Sequence, residues 1–254
     1  MEFIRRPGMG FILIAAVAAL GVSTAASASV VGNTVTVNLC GGSGGCWNDT
    51  WAVGSTSSWS NITANGSDWN AVINTLQAST DPSVTNNFTL TNTSASTQTY
   101  TMTTSLNTVA IGPATATSGS VGATATSNGN SAATVSTSGS TPIYTALIDG
   151  SSFQTLLYPP FSQSTPYPTG GGSLTFSSGF GLPGNTVPGP AVGSSIGIQV
   201  AFALTPGDSV GFTSNFQVQP VPVPASLILF GSGLIGLMGL VGIARRGRAP
   251  RWRG

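Results

Sequence analysis

Histidine and lysine are absent from the 254 residues, and Glu2 is the only glutamate. Charged residues make up 5% of the chain, and cysteine occurs twice, at Cys40 and Cys46. Each shortage excludes a chemistry. A serine or cysteine hydrolase needs a base such as His or Lys beside its nucleophile, and the chain has neither. Zinc sites draw on His, Cys and carboxylate, and here two Cys and a few scattered Asp are all there is. A paired-Asp mechanism stays open in principle. Yet Asp81-Pro82, Asp149-Gly150 and Pro206-Gly207-Asp208 read as turns, where Asp serves local hydrogen bonding. The chain is therefore read as no enzyme and as holding no cofactor. Structural calcium bound by Asp and carbonyl oxygens is the one alternative left open, without an EF-hand or Gly-Asp nonapeptide repeat to support it.

The cations are confined to the ends. All seven are arginines: Arg5, Arg6, Arg245, Arg246, Arg248, Arg251 and Arg253. Between them the only charges are Asp49, Asp68, Asp81, Asp149 and Asp208. Without Lys or Arg to meet phosphates, nucleic acid is not an expected partner. Arg5-Arg6 precede an apolar stretch from Gly10 to Val22, followed by small residues and Ala26-Ser27-Ala28. That order predicts a secretory signal peptide over residues 1–28, cut between Ala28 and Ser29. The partner it implies is the secretory translocon. At the other end, Ala225 to Ala244 contains 20 residues and no charge. At 1.5 Å per residue these span about 30 Å, one hydrocarbon thickness. Arg245, Arg246 and Arg248 follow as a stop-transfer cluster. The positive-inside rule then puts both ends in the cytoplasm before processing and the middle outside.

The tail has a further mark. Val221-Pro222-Val223-Pro224-Ala225-Ser226 forms a proline hinge, ahead of Leu227-Ile228-Leu229-Phe230-Gly231-Ser232-Gly233-Leu234. Hinge, helix and basic end together resemble the PEP-CTERM sorting signal of Gram-negative, exopolysaccharide-producing bacteria. Val223 stands where the eponymous motif has Glu, so the match is to a Pro-aliphatic-Pro form. The resemblance implies a membrane-anchored precursor, cut in or near Val221–Ala225 by an exosortase-type protease. It also implies a mature protein at the cell surface or in the extracellular matrix, with a structural or adhesive role in a biofilm or floc and extracellular polysaccharide as a partner. An ordinary single-pass anchor is the alternative.

Residues 29–219 are enough for one domain with a core. Apolar and polar residues alternate in Thr34–Leu39, Phe88–Asn92, Thr99–Thr103, Ile143–Leu147 and Ile196–Phe202, with Val210–Phe212 and Phe216–Val218 after them. The expected fold is mainly β, a single β-sandwich-like ectodomain between the signal peptide and one C-terminal transmembrane helix. One short helix is expected from Asp68 to Ala78, capped by Ser67 and apolar at Trp69, Val72, Ile73 and Leu76. Residues 114–141 predict two thin strands, with Val121 and Val135 inward. The Pro- and Gly-rich stretch Tyr158 to Pro190 predicts an irregular excursion. Cys40 and Cys46 flank a Gly/Ser linker, and export favours a disulfide between them. Trp47, Trp51 and Trp59, with Trp69, fall close together. They read either as packing or as a carbohydrate-binding patch that stacks on sugar rings. The Asn-x-Ser/Thr triplets, Asn92-Thr93-Ser94 among them, are read as chance.

Overall fold

A computed structural model describes residues 32–112, 115–166, 172–181 and 186–221. The signal peptide with Ala26, Ala28 and Ser29 lies outside the described residues. So do Pro222, Val223, Pro224 and Ala225, the apolar span and Arg245, Arg246 and Arg248. Val221, the last described residue, is exposed. Among the described residues no helix is long and apolar enough to cross a membrane.

Among the described residues, fifteen strands form two sheets, all neighbours antiparallel. The first sheet runs β10 (Ser151–Leu156), β9 (Tyr144–Ile148), β14 (Ser195–Leu204), β6 (Gln98–Asn107), β1 (Thr34–Gly41), β2 (Cys46–Ala52). Short strands β8 (Thr134–Ser136) and β11 (Ser162–Ser164) extend it beside β14. The second runs β12 (Ser173–Phe180), β7 (Thr115–Thr126), β15 (Ser209–Pro220), β5 (Ser83–Asn92), β4 (Trp69–Ser79), β3 (Thr56–Asn65), with β13 (Val187–Gly189) on β7.

Period-two patterning drives this arrangement. In β1 the residues Val35, Val37 and Leu39 are buried while Thr34, Thr36 and Asn38 face outward. The inward faces of the two sheets meet through aromatics. Phe202 of β14 lies 4.8 Å from Phe212 of β15, centroid to centroid. Two polar ties cross the same interface. The Tyr144 hydroxyl donates to the Asn215 carbonyl at 2.7 Å. Asn86 of β5 donates to Thr104 Oγ1 of β6 at 2.9 Å and accepts from the Ser214 hydroxyl of β15. Asn86, Thr104 and Ser214 are fully buried, so each needs that partner.

Small residues face large ones. A Cβ on Gly119 of β7 would lie 2.6 Å from the Tyr144 hydroxyl and 2.7 Å from the Phe180 ring. The low-complexity stretch thus supplies a thin interior strand, and β7 and β8 carry Val121 and Val135 into the core.

Three expectations are corrected. The helix from Asp68 to Ala78 is instead strand β4. A β-bulge between Ile73 and Thr75 shifts the pairing with β5 by one residue. Trp69, Ala71 and Ile73 point inward before it, and Leu76 and Ala78 after it. That parity change imitates helical spacing, while Val72 faces solvent. The excursion from Tyr158 to Pro190 holds β11, β12 and β13. Gly and Pro flank β12, but Leu174, Phe176 and Phe180 alternate within it. Finally, Val210–Phe212 and Phe216–Val218 belong to one strand, β15.

Candidate functional site

The β1–β2 hairpin places Cys40 opposite Cys46, and the two form a disulfide with Cα atoms 4.1 Å apart. Gly42 and Gly45 take positive φ to turn the linker between them. The loop closes on Asp68, whose carboxylate accepts from the Ser43 backbone N–H at 3.2 Å and its hydroxyl at 3.0 Å. A Cβ on Gly44 would collide with Asp68 Oδ1, and one on Gly66 with the Trp69 indole. Only glycine lets the loop lie this close. Trp69 and Tyr100 are fully buried beneath it. Burial raises the Tyr100 phenol well above its ordinary pKa, and the Asp68 carboxylate adds to that.

Trp47, Trp51 and Trp59 line one edge of the sandwich. β2 ends the first sheet and β3 ends the second. Trp47 and Trp51 of β2 have centroids 6.3 Å apart, and Trp51 lies 5.8 Å from Trp59 of β3. The row therefore bridges the two edge strands. All three rings are half-buried and pack against the core. Their contacts close the gap between sheets and leave partial ring faces to solvent.

The five aspartates are dispersed, and four of them, Asp49, Asp68, Asp149 and Asp208, accept local hydrogen bonds. Asp149 starts the β9–β10 turn at positive φ and accepts from the backbone N–H groups of Gly193, Ser194 and Ser195 at 2.7, 2.6 and 3.0 Å. These bonds hold its carboxyl below the ordinary carboxylate range. Asp208 is fully buried and accepts from Asn128 N–H at 3.0 Å and Thr205 Oγ1 at 2.5 Å. Asp49 accepts from the next backbone N–H on β2. Among the described residues no three His, Cys, Asp or Glu side chains gather into a metal site. Asn92 is fully buried and ties the chain to Leu204, while Asn48, Asn61 and Asn65 are exposed.

Sequence reasoning singled out the tryptophans and missed a trough on the outer face of the first sheet. It lies across β6, β14, β9 and β10 and encloses about 610 Å³. Its residues are mainly Ser, Thr and Gly, types so common in this chain that no local signal marks them.

No family model matches this chain, and no curated protein does.

Proposed function

We propose that the protein is an exported structural component of an extracellular polysaccharide matrix, sorted through its C-terminal tail and released or displayed at the cell surface. One observation carries the reading. Every arginine lies in the two terminal segments, and the C-terminal cluster follows 20 uncharged residues and a Val-Pro-Val-Pro hinge. A membrane helix buries its own backbone bonds in lipid, and the prolines keep the preceding residues out of helix. The hinge is thereby presented outside the membrane as an extended segment for an exosortase-type protease. The ectodomain chemistry agrees with this reading. A sandwich with hydroxyl-rich outer faces and a disulfide suits an oxidising exterior.

Mass spectrometry of protein from producing cells tests the proposal. The mature chain starts at Ser29 and ends close to Pro224, without an arginine. Pro222→Ala with Pro224→Ala leaves uncut precursor in the inner membrane. Recovery of only the full-length chain, Arg tail included, from a strain with an exosortase refutes the sorting reading in favour of a plain anchor.

A further inference from the structure

We propose that the trough on the outer face of the first sheet is a binding site for a neutral glycan, separate from the tryptophan edge. The inference rests on the matrix reading above for the choice of polysaccharide as partner, and on the trough's own geometry for the site.

Two rows of outward residues cross four strands in register. Ser105 of β6 pairs with Gly197 of β14, then Leu147 of β9, then Ser152 of β10. Beside it run Thr103, Gln199, Thr145 and Thr155 on the same strands. At about 4.8 Å between strands, each row is roughly 14 Å long, which suits an oligosaccharide. The volume of about 610 Å³ falls within the range of small-ligand sites.

The floor is built low. A Cβ on Gly197 would lie 2.7 Å from the Thr104 carbonyl oxygen, so β6 and β14 admit no side chain there. The bulge between Ser152 and Gln154 lets both Ser152 and Thr155 face the trough. Loop residues Thr141 and Pro142 form part of its wall.

The lining selects the ligand. It holds no charged side chain. An acidic glycan would find no cation to pair with, and a cation no carboxylate. Hydroxyl and carboxamide groups can both donate and accept, which matches sugar hydroxyls. Leu147 and Pro142, both partly exposed, supply apolar strips for sugar C–H faces.

The polar groups are also unengaged. Thr145 is 6% exposed, yet its hydroxyl bonds to none of the described residues and faces the trough. The second sheet contrasts with this. There Asn74 donates to Asn87 at 2.9 Å, Asn87 to Thr213 at 2.7 Å and Asn215 to Ser120 at 2.8 Å. Those side chains satisfy one another, whereas the trough's hydroxyl and carboxamide groups bond to none of the described residues. The tryptophans, in turn, spend much of their ring surface on one another and on the core.

Affinity electrophoresis of the full chain in detergent tests the site. The probes are laminarin, dextran and the neutral fraction of the producing cells' polysaccharide, with alginate as the acidic control. Retardation by at least one neutral probe is expected, and none by alginate. Thr103→Val, Thr145→Val and Gln199→Ala combined should weaken it at least tenfold, while Trp51→Ala with Trp59→Ala changes it less than twofold. Should the triple variant lose its thermal transition, Gln199→Ala and Thr155→Val singly give the same comparison, each with a loss of threefold or more. No binding to any neutral probe, binding to alginate alone, or loss only in the tryptophan variant overturns the inference. Those outcomes leave the sorting proposal standing, since the ends of the mature chain decide that separately.

Discussion

Asn86 offers the sharpest test of how the two sheets are held together. It bridges Thr104 of the first sheet and Ser214 of the second, with no solvent access to any of the three. Asn86→Ala removes both bonds and leaves two buried hydroxyls without that partner. An unsatisfied buried polar group costs about 1–3 kcal/mol. Either hydroxyl can turn toward a nearby carbonyl, so the sum falls at roughly 2–4 kcal/mol. Urea unfolding of the protein, followed by tryptophan fluorescence, reads this. With an m-value of about 3 kcal/mol/M, the midpoint drops by roughly 1 M. The companion variant replaces the whole network: Asn86→Leu, Thr104→Val and Ser214→Ala. Apolar replacement of all partners is close to neutral when shape is kept, so this triple variant should be more stable than Asn86→Ala. The reasoning fails if Asn86→Ala costs under about 0.5 kcal/mol, or if the triple variant is the less stable of the two.

Replacing Cys40 and Cys46 by Ser opens a loop of sequence separation 6 and should lower unfolding free energy by about 2 kcal/mol in the loop-entropy account, read from the same urea curves. Gly66→Ala drives a Cβ into the fully buried Trp69 indole and should cost about 2–3 kcal/mol. Gly122→Ala, where the nearest atom is 3.8 Å away, should leave the thermal midpoint within a degree or so, a shift of a few tenths of a kcal/mol. Asp149 has a folded pKa below its ordinary value. Its contribution is therefore present above the ordinary carboxylate pKa and lost as pH falls through the depressed one. Asp149→Asn should flatten the acid limb of a stability–pH curve without changing its slope near neutrality.

Alternation made β1, β5, β6 and β14 legible, because each keeps one parity from end to end. It failed at β4, where one extra residue at the bulge turned a strand pattern into an apparent helical stripe. It failed at β12 for a different reason: the flanking Gly and Pro outweighed three alternating apolar residues. The tryptophans show a limit of composition. Trp69 and Trp59 are one residue type ten positions apart, yet one is core and the other edge, since burial depends on which strand pairs beyond. The trough was invisible for the same reason. Thr103 of β6 and Gln199 of β14 join Thr145 and Thr155 of the β9–β10 hairpin only through registers between segments distant in sequence.

β15 is an interior strand of its sheet, paired with β7 on one side and β5 on the other, and it leads directly into the proline hinge. Any tension on the C-terminal tail therefore enters the domain through a strand clamped on both flanks. Such a strand resists being drawn out lengthwise, because its hydrogen bonds share the load and must yield together. A tail attached to an edge strand such as β2 would be held by one ladder instead of two. Under the proposed sorting reading, an anchored precursor would bear drag on its domain without unravelling it.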